Sequence, residues 1–320
     1  MTVALTLLVS GLALAVVGPW ILTRSRLHAV APGVLLAAWA ASMASLAFFL
    51  ASAVVVAAWP RHAPAEGAVE TVLSCLAAVT HTLTPWVDEA IAVASTLALT
   101  VLTVHSVRVV WRQVRTRDRA TAQHADTVRI VGRCDARVDT VWLPHATPLA
   151  YSIGGRAGLV VATDGLAVHL SEREVAAVMA HERAHLSGRH HRVVALTAAL
   201  AGALSAVPLF SRAPAAVGML LELAADRAAV RATDAATVRS ALVTVAAFSG
   251  PTPAGSLGLA NTALQERLAQ LDARPDGAPP ASGWSTAVRC LTAAALTVLA
   301  PAAAASVTVL AVTSGACYLL

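Results

Sequence analysis

His181 and His185 stand four residues apart in the run VMAHERAHLSGRHH, residues 178–191, with Glu182 directly after the first. On an α-helix that spacing puts both imidazoles on one face, about one turn from each other. Two imidazoles so placed can bind one divalent cation at ~2.0–2.1 Å each. Glu182 points to the flank of the pair, where its carboxylate can serve a water beside the cation without taking a coordination position. The chemistry predicted is metal-assisted hydrolysis, with His181 and His185 as ligands and Glu182 as general base. The competing reading is a helix whose histidines are buried or solvated without metal.

The element that must carry the pair has a clear start signal. Ser171 followed by Glu174 is a capping box, which predicts one helix over 172–187 with Gly188 as its stop. A third ligand is expected from LLELAADRAAV, residues 220–230, where Glu222 and Asp226 are again four apart. Carboxylates in such an Ala/Leu-rich helix are unfavourable unless paired or liganded. Glu222 would complete a two-His-one-Glu zinc set with one position open for water. Asp226, one turn on, would accept the second ring N–H of His181 and hold its tautomer. The bland reading of Asp226 is a surface pair with Arg227 or Arg231, worth under about 1 kcal/mol. An oxyanion-stabilising group is expected as well, and Tyr151, His145 and Arg227 are unranked candidates. His190 and His191 follow the helix stop and are expected to be solvated at a membrane surface. His28, His62 and His81 read as structural or exposed.

The rest of the chain looks like membrane. Of 320 residues 57% are hydrophobic and only 13% charged, and the mean hydropathy is +0.69. A soluble domain carries about a quarter charged residues, so much of the exposed surface here must face lipid. Spans are expected at about 2–22, 33–59, 89–111 and 290–316, the first as a retained anchor rather than a signal peptide. Arg24 and Arg26 follow the first span, and Arg108, Arg112, Arg115, Arg117 and Arg119 gather at the end of the third. By the positive-inside rule, residues 112–192 are then cytoplasmic and both termini lie outside, with 70–85 an interfacial helix or a plain loop on the outer face.

The sequence pI is about 9.7. The arginines sit beside apolar segments, a topological distribution that argues against direct nucleic-acid binding. All basic residues are Arg and none is Lys, which fits a bacterial source. Four scattered cysteines lack C-x-x-C spacing, and a bridge between Cys75 and Cys317 on the outer side stays open.

Between the third and last spans, residues 126–170 hold short β-type runs (TVRIV, DTVWL, PLAYS, GLVVAT) broken by Pro and Gly, as in a small sheet. Residues 171–248 read as helix. The apolar segment 193–210 could be another span, but a single crossing would set Glu222 about 30 Å from the histidines. Two crossings need about 40 residues, and only 29 lie between Arg192 and Glu222. A short hairpin at about 193–213, broken near residues 205–208, is therefore expected, dipping into the membrane or lying against the core.

The stretches AYSIGGRAGLVVATDGL, LSEREVAAVMAHERAHLSGRHH, ELAADRAAVRA and ALQERLAQL resemble the BlaR/MecR-type integral-membrane gluzincin metallopeptidases, and more distantly the HtpX and CAAX-protease type. The resemblance covers roughly residues 90–275. It implies a mainly α membrane protein, with about four transmembrane helices around a cytoplasmic-facing α+β zincin domain with a small β-sheet. It implies a Zn2+ endopeptidase at the cytoplasmic face of a bacterial cell membrane, acting on a protein or peptide substrate. For BlaR/MecR-like members it also implies signalling by cleavage of the protein itself or of a winged-helix transcriptional repressor.

The division expected is a membrane region (1–111), the metallopeptidase domain (112–272), a linker (273–289) and a final transmembrane helix (290–320). Those sensors carry an extracellular penicillin-binding domain after the last span, and only Tyr318 to Leu320 follow Cys317 here, so antibiotic sensing is not expected. A substrate peptide is expected to pair with an edge strand drawn from AYSIGG or GLVVAT. Two other readings stand beside the enzyme: a zinc-stabilised, non-catalytic membrane sensor or scaffold, and a helical membrane protein without metal.

Overall fold

The computed structural model describes residues 2–23, 31–58, 85–135, 139–155, 158–248 and 257–273. Helices α1 (Thr2–Leu22) and α2 (Pro32–Ala58) form the N-terminal part. Among the described residues, Pro32–Ala53 is the one helix long and apolar enough to cross a membrane, by length and composition. The arginines expected to orient the first span and the histidines at 28, 62 and 81 lie outside the described residues. So do residues 59–84 and 274–320, and with them the outer loop, most of the linker, the last span and the Cys75–Cys317 pair.

Helix α3 (Pro85–Val131) is 47 residues long, about 70 Å at helical rise. Its first half exposes a stripe of Val93, Leu97, Val101, Val104, Val107 and Trp111. Arg115 sits over the Trp111 ring at 3.8 Å. The helix continues without a break past residue 111, and TVRIV at 127–131 is its last turn rather than a strand. Three apart, Ala125 and Val128 turn one face into the core, whereas Ile130 and Val131 are exposed. The β-branched residues simply extend a helix already propagating from its Arg/Ala-rich stretch. Gly132 ends it where a Cβ would lie 2.2 Å from Val141 Cγ1.

The other three β-type runs do form strands: β2 (Thr140–Leu143), β3 (Ala150–Ile153) and β4 (Leu159–Thr163), joined by β1 (Arg133–Asp135). The sheet order is β1-β2-β4-β3. β2 and β4 are parallel, and the outer pairs are antiparallel. Strand alternation gives the sheet two different faces. Val141, Tyr151, Ile153, Leu159 and Val161 pack with Ala125 and Val128 of α3. Trp142, Ala150, Val160 and Ala162 pack with Val175, Val178 and Met179 of the next long helix.

After the short α4 (Asp164–His169), that helix is α5 (Glu172–Ser187). Both halves of its capping box are present: the Glu174 N–H donates to Ser171 Oγ at 3.4 Å, and the Ser171 N–H donates to Glu174 Oε2 at 2.8 Å. α6 (His190–Ala203) follows, and the chain breaks at 204–207 before α7 (Pro208–Ser211) and α8 (Ala213–Ala232). Pro208 at the first helical position suits the new start. Leu209, Phe210 and Val217 join Leu14, Trp39, Leu46 and Phe49 in one apolar cluster, so the turn is seated against α1 and α2. α9 (Ala235–Phe248) and α10 (Leu257–Asp272) close the far side, tied by Arg239 to Asp272 at 2.9 Å.

Ser171→Ala removes the acceptor for the Glu174 N–H and is expected to lower stability by about 1 kcal/mol. A thermal melt of the detergent-solubilised variant checks this, and an unchanged melting temperature would show that the box contributes nothing.

Candidate metal centre

α5 and α8 lie side by side and bring together groups 37 to 41 positions apart in the chain. His181 Nε2 stands 3.4 Å from Glu222 Oε2, and His185 Nε2 stands 3.5 Å from Glu222 Oε1. The two Nε2 atoms are 3.1 Å apart. Tetrahedral coordination at ~2.0–2.1 Å requires ligand atoms about 3.3 Å from one another. One donor atom from each of the three side chains lies within 4.8 Å of the others, close enough to converge on a single ion after small side-chain adjustment. Among the described residues, His181, His185 and Glu222 are the group so gathered. Two imidazoles and a carboxylate are a donor set that suits zinc.

Asp226 lies behind this group, 3% exposed. Its Oδ1 is 3.0 Å from His181 Nδ1. The cation beside it is not Arg227 or Arg231 but Arg267 on α10, whose Nε and Nη2 donate to the two carboxylate oxygens at 2.8 and 2.7 Å. Arg267 Nη1 also reaches Glu222 Oε2 at 3.3 Å. One guanidinium thus grips Asp226 in a fork–fork arrangement and braces Glu222 through its remaining nitrogen. Its role had no direct signal at residue 267. The indirect one was that a buried Asp needs a cationic or hydrogen-bonding partner, and Arg267 lies in the ALQERLAQL stretch.

The electrostatics follow from these contacts. Burial pulls the His181 imidazole down, but hydrogen bonds to Asp226 and Glu222 outweigh it and push its pKa up to about 9. Burial takes His185 the other way, down to about 4, with the charges of His181, His190 and Arg267 adding to the effect. For Glu222 and Asp226 burial favours the protonated form. The hydrogen bonds and charges of His181 and Arg267 overcome it, so both carboxyls are held below their usual range. Such a site attracts a proton to His181, and a metal cation competes for the same place. Glu182, beside it, is raised chiefly by burial, with His181 and a hydrogen bond from Ser152 moderating the rise.

The three oxyanion candidates are not gathered with these groups. Tyr151 belongs to the sheet face that packs on α3, and its hydroxyl is 2.9 Å from His124 Nε2. Alternation along β3 gives the side facing α5 to Ser152 instead. His145 is exposed in the β2–β3 connection, with its Nδ1 accepting the Thr147 N–H at 3.2 Å. Arg227 follows Asp226 by one residue, which turns it about 100° round α8 from the Glu222–Asp226 face.

His190 and His191 are not solvated as expected. Arg189 takes a left-handed conformation (φ 51°), so α6 starts at once and folds back on α5. His190 thereby meets His185, Nδ1 to Nδ1, at 3.0 Å. The His191 ring lies against Gly154, where a Cβ would come within 2.2 Å of it.

Residues 132–220 match the model of Peptidase family M48. A protease HtpX homolog of Ralstonia nicotianae is 39% identical over 85 residues, 26% of this chain and 30% of that protein. A Ralstonia pickettii homolog of the same name is 38% identical over 85 residues, with the same shares. One from Burkholderia multivorans is 48% identical over 52 residues, 16% of this chain and 18% of its own. The matched region spans about 30% or less of the length of these curated relatives. No solved structure matches the chain. The matches support a relationship to Peptidase family M48 over residues 132–220, and the matched relatives carry the HtpX name rather than a BlaR/MecR one. The family match includes His181, Glu182 and His185 but stops two residues short of Glu222, so the third ligand rests on geometry.

Removing Arg267 leaves a buried carboxylate without its cation. Arg267→Met is expected to lower stability by about 3 kcal/mol. Arg267→Lys, which keeps the charge but not the fork, is expected to cost less. Melting temperatures of the two variants measure this, and a Met variant as stable as the original chain would remove the proposed bracing.

Proposed function

We propose that this chain is a membrane zinc endopeptidase that hydrolyses a protein substrate at the cytoplasmic face. The observation that carries the reading is the convergence of His181, His185 and Glu222, with Glu182 directly beside them. His181, His185 and Glu222 would hold the ion, and Asp226 and Arg267 would keep His181 and Glu222 in place. Zinc, when bound, supplies a Lewis acid for the scissile carbonyl and lowers the pKa of water.

The proton transfers fall to Glu182. Its carboxylate takes a proton from the attacking water and returns it to the leaving amine nitrogen. Burial raises its affinity for that proton, which suits a group that must both accept and donate. The Ser152 hydroxyl faces Glu182 from β3 and holds its carboxyl down against the effect of burial.

The substrate edge follows from the sheet. β4, from GLVVAT, is paired on both sides by β2 and β3. β3, from AYSIGG, is one of the two terminal strands, and among the described residues no further strand pairs with its outer edge. A peptide added there would run beside the strand that carries Ser152, close to the base.

The cytoplasmic placement is supported by Arg112, Arg115, Arg117 and Arg119, which follow the exposed apolar stripe of α3. The remaining spans, and with them a multi-pass topology, rest on hydropathy. Regulatory proteolysis of a winged-helix repressor rests on the BlaR/MecR resemblance alone.

The reading predicts that the full chain in proteoliposomes cleaves an unfolded probe such as fluorescent casein, stops when a chelator strips the metal, and resumes when zinc is returned. Glu182→Gln should slow cleavage by about 10²–10⁴-fold while zinc content stays unchanged. A Gln variant that binds zinc and still cleaves at the original rate would exclude the assigned base. Zinc bound stoichiometrically with no cleavage by either protein would favour a metal-stabilised scaffold.

A further inference from the structure

Both metal-facing imidazoles direct Nε2 toward Glu222, which leaves each with a free Nδ1 to place. His181 turns its Nδ1 to Asp226 at 3.0 Å. His185 turns its own to His190 Nδ1, also at 3.0 Å. The two rings are perpendicular, at 88°, with centroids 4.8 Å apart. An imidazole that offers the Nε2 lone pair to a cation carries its proton on Nδ1. With a cation on its Nε2, His185 would donate through Nδ1–H and His190 Nδ1 would accept, with the His190 proton on Nε2.

The local backbone is built around this contact. Gly188 closes α5, and Arg189 follows in the left-handed region, so His190 comes back beside the last turn of α5. A Cβ at Gly188 would lie 2.4 Å from His190 Nε2. The ring occupies the space that the missing side chain leaves. His190 does not compete for the ion, because its Nδ1 faces His185 Nδ1 on the side away from the paired Nε2 atoms.

We propose that His190 is a positioning residue of the metal centre: it accepts the Nδ1–H of His185 and fixes that imidazole in one tautomer and one ring orientation toward the ion. It does for His185 what Asp226 does for His181, with a neutral acceptor in place of a carboxylate. The inference rests on the zinc reading given above, and its test keeps the two apart.

The measurement is the zinc affinity of the full chain in detergent, by competition with a chromophoric chelator. His190→Phe keeps a ring of similar shape without an acceptor. His190→Asn places a carbonyl oxygen where the histidine holds Nδ1. The Phe variant is expected to bind zinc about 10–100-fold more weakly, and the Asn variant to recover most of that loss. Unchanged affinity in the Phe variant overturns the proposal, and so does an Asn variant as weak as Phe, since ring shape would then be the cause. If the Phe variant fails to fold, Gly188→Ala serves in its place, because it displaces the ring and retains every polar group. It should weaken zinc binding, and unchanged affinity there overturns the proposal too. An original chain that binds no zinc removes the metal-centre reading and this inference together, an outcome distinct from zinc-binding protein indifferent to position 190.

Discussion

A carboxylate as deeply buried as Asp226 stays ionised only if cations or donors surround it. Arg267 supplies two parallel N–H donors and His181 a third. That arrangement links α5, α8 and α10 at one point, and the gathering of His181, His185 and Glu222 depends on it. With the Asp226 charge secured, His181 has a fixed Nδ1 partner and presents Nε2 forward. Because the same guanidinium also touches Glu222, that candidate ligand is held by the residue that holds Asp226.

The second constraint is a turn. Glu222 reaches the histidines only because the apolar chain after Arg192 reverses at 204–207 instead of continuing straight. The reversal is held by packing: Leu209 and Phe210 are buried among α1 and α2 residues, next to the apolar stretch Pro32–Ala53. The membrane-like part of the chain and the metal-gathering part are thus coupled through one apolar cluster. The small sheet does the complementary work. One face rests on α3 and the other on α5, so β3 can offer Ser152 to Glu182 while Tyr151, one residue away, anchors α3.

Much of this was legible in the residues. The four-residue spacings of His181 with His185 and of Glu222 with Asp226, the Ser171–Glu174 box and the chain-length argument against a straight span are all local or arithmetical. They depend on helical period, capping and bilayer thickness, which hold whatever the rest of the chain does. TVRIV misled for the same reason in reverse: β-branched composition is a weak signal beside a helix already propagating into it.

The sequence alone therefore determined which side chains could act, on which helix face, and that two distant segments must meet if those side chains share one ion. Tertiary packing alone decided who stands behind them. Arg267 comes to Asp226 across 41 residues, His190 returns to His185 through one left-handed residue, and β3 rather than β4 lies at an end of the described sheet. Periodicity reports the face on which a side chain lies. It carries no information on which other element will pack against that face, because that choice is made by burial and charge pairing between segments far apart in the chain.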